Sequence, residues 1–127
     1  MADKILIVDD EPEMVEMLQS RLGHNGYEVI TAVTGEDCLV KAEEEKPDII
    51  LLDVLLPGIS GFEVSKKLKA NKTTKDIPVI MVTALIGEDA KVKGLERGAK
   101  YFISKPFDPE DLLSQIKTIL AKRDRET

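Results

Sequence analysis

Ile49-Ile50-Leu51-Leu52-Asp53 is an unbroken apolar run that stops at a carboxylate. Four apolar residues in succession, following Pro47-Asp48, fit a strand covered on both faces, as in a parallel sheet. Asp53 then sits where the strand ends, and Leu55-Leu56-Pro57-Gly58 with Gly61 carries the chain away without extending it. A carboxylate at the carboxyl edge of a central parallel strand lies where open α/β sheets bind their ligands. Taken alone, Asp53 serves equally well as a cap, because Asp is favoured at caps and turns for purely local reasons. What else reaches the same edge decides between the two.

Working outward, the same pattern recurs. Residues 5–8 are apolar throughout and are followed by Asp9-Asp10-Glu11-Pro12, read as an acidic cap with a proline in the first helical turn. Val15, Leu18 and Leu22, flanked by Met14 and Met17, then recur at helical spacing until residues 23–26 end the helix. Residues 29–32 form a shorter strand, and Thr34-Gly35-Glu36-Asp37 starts a second helix that turns Cys38, Leu39 and Ala42 inward. Beyond Asp53, residues 61–70 set Phe62, Val64, Ser65 and Leu68 inward, with Lys66, Lys67 and Lys69 outward. A polar connector leads to a buried strand over 78–83, with proline tolerable at its first position. Residues 88–97 make a poorer helix, marginal and mobile, with Val92 and Leu95 as its contacts and Gly94 inside it. Residues 101–104 give a fifth strand, and Lys105-Pro106-Phe107-Asp108-Pro109 turns into a last helix carrying Leu112, Leu113, Ile116, Ile119 and Leu120. The charged end, 122–127, is expected to fray.

Strand and helix alternate five times, which predicts βαβ units around a parallel sheet: a doubly wound α/β domain with helices on both faces. The 127 residues match one ordinary domain. A hydrophobic share of 43% with 33% charged residues is globular, and a net charge of -6 argues against direct nucleic-acid binding. The single Cys38 excludes an internal disulfide and reads as a small buried apolar residue; no Cys/His cluster offers a zinc site. The first apolar run is too short for a signal sequence, and no stretch approaches the ~20 apolar residues that cross a bilayer. A cytoplasmic setting, with no membrane partner, is the expectation.

In a parallel sheet the carboxyl ends of all strands share one side. Asp9, Asp10, Asp53, Thr83 and Lys105 therefore gather there. Three carboxylates in partly desolvated space repel one another unless a cation compensates. A hard divalent ion does so, and Mg2+ suits one or two carboxylates plus water and phosphate oxygens. Lys105 adds a mobile positive charge and Thr83 a hydroxyl donor. A metal, a lysine, a hydroxyl and an attacking carboxylate are the parts of in-line phosphoryl transfer onto aspartate. His24, in a helix-to-strand turn, lies far in topology from that edge.

Ile7-Val8-Asp9-Asp10-Glu11, Leu52-Asp53-Val54-Leu55-Leu56-Pro57-Gly58, Thr83-Ala84 and Ser104-Lys105-Pro106-Phe107 resemble the receiver domain of two-component response regulators. The resemblance spans essentially the whole chain, with residues 1–122 as the receiver and 123–127 as a charged tail or the start of a linker. It implies a flavodoxin-like sheet of order 2-1-3-4-5. It further implies Asp53 as phosphoacceptor, Asp10 and Asp53 as direct Mg2+ ligands, Asp9 as a ligand through water, and the main-chain carbonyl of Leu55 as third protein ligand, with Mn2+ an acceptable substitute. Thr83 and Lys105 would contact the phosphoryl group, and Lys105-Pro106 would be a cis peptide. Phe102 occupies the aromatic switch position and would fill space vacated as Thr83 moves inward. The segment 88–97, the fifth strand and the last helix would then form the output face.

The implied partners are a histidine kinase or histidine phosphotransfer protein and a downstream target or fused effector, with a phosphorylation-dependent dimer among the allowed assemblies. No enzymatic activity is expected beyond self-phosphorylation and slow self-dephosphorylation. Leu55 and Leu85 stand two residues beyond the acceptor and the threonine, where neither orients water. Lys100, Tyr101 and Gln115 depart from the charged dimer contacts of winged-helix members. The enzyme-class alternative is a Mg2+-dependent phosphatase with an aspartate nucleophile, which usually places a second aspartate where Leu55 stands. A flavodoxin-like cofactor binder lacks its glycine- and hydroxyl-rich phosphate cradle here.

Overall fold

The computed structural model describes residues 2–84 and 100–126. The helix expected over 88–97, and Leu85, lie outside the described residues. In chain order the elements are β1 (Lys4–Val8), α1 (Pro12–His24), β2 (Glu28–Ala32), α2 (Gly35–Glu45), β3 (Ile49–Asp53), α3 (Gly61–Ala70), β4 (Val79–Thr83), β5 (Tyr101–Ser104) and a C-terminal helix, α4 (Pro109–Glu126). The five strands form one parallel sheet of order β2-β1-β3-β4-β5. The doubly wound architecture and its strand order agree with expectation.

Alternation along each strand divides two cores. Leu6, Val8, Ile50, Leu52 and Met81 face α2 and α3, where Cys38, Ala42, Val64 and Leu68 meet them. Ile5, Ile7, Ile49, Leu51 and Ile80 face the other way, against Leu18 and Leu22 of α1 and the apolar stripe of α4. This explains why the central strands β1, β3 and β4 read as nearly continuous apolar runs: period-two alternation puts successive residues into one core or the other. The chain leaves β1 for β2 on one side and returns to β3 on the other. The junction of β1 and β3 is the switch point at which open sheets form a crevice.

Several local expectations are met and others corrected. Thr34 caps α2, its hydroxyl accepting from Asp37 N at 3.0 Å. Ser60 caps α3 in the same way through Glu63 N at 3.2 Å. The acidic cap expected for α1 is not made, since Glu11 has no side-chain capping bond. Asp9 instead accepts from Glu11 N at 2.9 Å, ahead of the helix. Lys69 does not point outward: its ammonium reaches the carbonyls of Lys75 (3.1 Å) and Ile77 (2.9 Å) and holds the connector to β4. Burial, with Lys100 nearby, lowers its pKa. Helix α4 continues through Glu126, and Arg123 pairs with Asp48 at 2.9 Å and Asp3 at 3.3 Å. Cys38 is fully buried, and burial, helped by Asp37, pushes its thiol up to about 12.

Candidate functional site

At the carboxyl edge, β1 and β3 each end in a buried acid. Val8 pairs with Leu52 across the two strands, so Asp9 and Asp53 emerge side by side. Asp9 is held by its own N–H, which donates to the carbonyl of Ala32 at 3.1 Å, and by the Asx turn to Glu11. Asp53 is fixed twice over. Its Oδ1 accepts from Leu55 N at 3.1 Å. Behind it, α3 begins at Gly61, whose N–H donates to the carbonyl of Val54 at 2.9 Å. A Cβ at Gly61 would run into the carbonyl of Asp53 and the Cα of Val54, so only glycine lets the helix start this close to the strand end.

The third and fourth contributors come from β4 and β5. Thr83 ends β4 and is buried; its carbonyl accepts from Lys105 N at 2.7 Å. Register places Thr83 opposite Ser104, so Lys105 enters the crevice directly beside it. The Lys105-Pro106 peptide is cis, as expected. The Lys105 ammonium lies 3.1 Å from Asp53 Oδ2, 3.2 Å from Asp9 Oδ2 and 3.2 Å from Glu11 Oε1. Asp9, Asp10 and Asp53 each offer one carboxylate oxygen, and these atoms lie within 4.8 Å of one another.

The electrostatics follow from that crowding. Burial raises the Asp53 pKa, and Asp9 adds to the rise; the Leu55 N–H and Lys105 oppose it without cancelling it. For Lys105 burial works downward, but hydrogen bonds and charge attraction from Asp53 and Asp9 prevail and hold the ammonium above its ordinary range. One ammonium facing three carboxylates leaves the pocket net negative. An all-oxygen donor set of this kind could hold a hard divalent cation and is poorly suited to softer metals.

The structure thus brings together Asp9, Asp10, Asp53, Thr83 and Lys105, with Leu55 bonded to Asp53 through its N–H. Phe102 stands apart from this group, partly buried against the core shared with α2 and α3. Glu11 is the participant that the sequence analysis did not assign. Its signal was its place in the acidic run Asp9-Asp10-Glu11, where it was read as a cap.

A parallel sheet with an acidic, lysine-bearing crevice at its switch point defines a class, and the sequence agrees: the model of the response regulator receiver domain matches residues 5–117, and the chain belongs to that family. It is a phosphoacceptor domain of two-component signalling. Over 122 residues it is 48% identical to the alkaline phosphatase synthesis transcriptional regulatory protein PhoP of Bacillus subtilis, covering 96% of this chain and 50% of PhoP. It is 44% identical over 119 residues to the response regulator PleD of Caulobacter vibrioides, covering 94% of this chain and 26% of PleD. The chain therefore spans about half the length of the first of these relatives and about a quarter of the second. Among solved structures, a CheY-like receiver domain protein of Methanospirillum hungatei superimposes with a TM-score of 0.93 at 35% identity, covering 100% of both chains. Members of this family typically bind Mg2+. Among the described residues, no helix is long and apolar enough to cross a membrane.

Proposed function

We propose that Asp53 is the carboxylate that accepts the phosphoryl group, from a histidine kinase or phosphotransfer protein. The observation that carries this reading is its position: a buried carboxylate at the switch point, 3.1 Å from the Lys105 ammonium and grouped with Asp9 and Asp10. An oxygen of Asp53 attacks phosphorus in line with the donor bond, that bond breaks, and an acyl phosphate forms. A carboxylate is already deprotonated, so no general base is required. Lys105 offsets charge on the transferring oxygens, and the Thr83 hydroxyl donates to one of them.

Asp10 and Asp53, with the Leu55 carbonyl and with Asp9 through water, would hold Mg2+ or Mn2+. When bound, that ion supplies charge neutralisation for the transferring group and orients donor and acceptor. The aspartate-nucleophile phosphatase is the poorer reading, because exposed Leu55 stands where such an enzyme needs its second acid. The same leucine supports slow self-dephosphorylation. Phosphorylation replaces the single charge of the Asp53 carboxylate with a phosphate that carries about -1.5 to -2, and it brings further acceptor oxygens. Drawing Thr83 inward would open room for Phe102, which lies in β5 opposite Met81, and would carry the change to the surface of β5 and α4. A downstream protein or fused effector, met in the cytoplasm, would read that surface, with a phosphorylation-dependent dimer as one readout. The test is intact mass after incubation with acetyl phosphate and Mg2+. Wild type should gain one phosphoryl group and Asp53→Asn none; equal labelling of the two would sink the assignment.

A further inference from the structure

Lys105 reaches three carboxylates, and two of them belong to the pocket: Asp53 as acceptor and Asp9 in the metal cluster. The third is different in kind. Glu11 sits outside the buried pair, its side chain 62% exposed, yet its Oε1 is as close to the ammonium as Asp9 is, at 3.2 Å. Its backbone is set there by the Asx turn in which Asp9 accepts from Glu11 N, and by its place just before α1. We propose that Glu11 is a positioning residue that restrains phosphoryl transfer by holding Lys105 at the mouth of the pocket.

This inference rests on Asp53 being the acceptor. A phosphodonor arrives as an anion, and Glu11 opposes it in two ways. It competes for the ammonium that must turn to the transferring oxygens, and it puts a like charge at the entrance. Asp9 and Asp53 carry the same sign, but both have work in the reaction. The Glu11 side chain reaches the pocket through Lys105, and its charge at the mouth adds to that hold. Its exposure makes the restraint sensitive to salt, since the Debye length shrinks from about 10 Å at 0.1 M to about 3 Å at 1 M.

The experiment follows the rate of Asp53 phosphorylation by acetyl phosphate at saturating Mg2+, in wild type, Glu11→Gln and Glu11→Asp. At low salt Glu11→Gln should react about three to ten times faster than wild type, a gain on the scale of one partly screened ion pair. Glu11→Asp, which keeps the charge, should stay closer to wild type than to Glu11→Gln. Raising ionic strength should shrink the gap between Glu11→Gln and wild type, which a purely structural role would not do. Thermal melts with and without Mg2+ check that both variants fold and retain the pocket. A Glu11→Gln rate equal to or below wild type, or a gap indifferent to salt, overturns the proposal. If wild type itself takes no phosphate on Asp53, the reading of the acceptor fails instead.

Discussion

The two ends of the sheet solve opposite problems with the same residue types. At the amino edge Arg123 faces Asp3 and Asp48 across α4, β1 and β3, with side chains 29%, 37% and 34% exposed. Charges there are paired and partly wet. At the carboxyl edge Lys105, Asp9 and Asp53 are 12%, 4% and 5% exposed, and acids outnumber the cation. A hollow of about 480 Å3 lies at the amino edge beside Lys69, Lys100 and Tyr101. Lys69 and Arg123 have local reasons to be there, since cations suit helix C-termini. No such reason explains three crowded carboxylates at the other edge.

The contrast can be tested from its strongest consequence downward. Lys105→Met should slow phosphorylation by acetyl phosphate about a hundredfold or more, because a preorganised charge in a water-poor site is lost; quenched-flow mass spectrometry measures it, and a change under threefold would erase the distinction between the edges. Next comes metal. Mg2+ at about a hundred times its Kd should stabilise the fold by about 2.7 kcal/mol, seen as a rise in Tm absent with a monovalent salt of equal ionic strength.

Asp53→Asn should stabilise the metal-free protein at neutral pH by about 1–2 kcal/mol, because a buried charge in a net negative pocket is removed. The sign follows from the raised folded pKa. Ionised Asp53 costs stability above that pKa, and the cost fades as pH falls toward the ordinary value of 3.8. Urea unfolding between pH 7 and pH 4 should show the variant's advantage shrinking; an advantage that grows toward acid contradicts it. Smallest of all, Arg123→Ala should cost about 1 kcal/mol or less by chemical denaturation, and less at high salt, as expected of a largely solvated ion pair.

Much of this was legible in the chain. Apolar runs over β1, β3 and β4 announce strands covered on both faces, and their alternation with helical spacing is enough for the doubly wound sheet. Because parallel strands point one way, Asp9, Asp10, Asp53, Thr83 and Lys105 could be placed together without coordinates. Contacts made by long side chains were not legible. Helical periodicity gives the direction of a Cβ, so Lys69 was placed outward, while its flexible stem folds back to two carbonyls. Arg123 finds Asp3 across 120 residues and Lys105 finds Glu11 across 94, with no local signal for either pairing. The acidic cap expected ahead of α1 was misread for a related reason: the Glu11 carboxylate goes to distant Lys105 instead of to the first turn of the helix.

Gly61 gives the crevice its tolerance. Since α3 starts with no room for a methyl group against the Asp53 carbonyl, β3 and that helix are seated on one another like a bolt in its housing. An alanine there would jack the helix away from the strand and shift Asp53, leaving every group of the crevice present but out of line. The domain would then keep its full complement of chemistry and lose its aim.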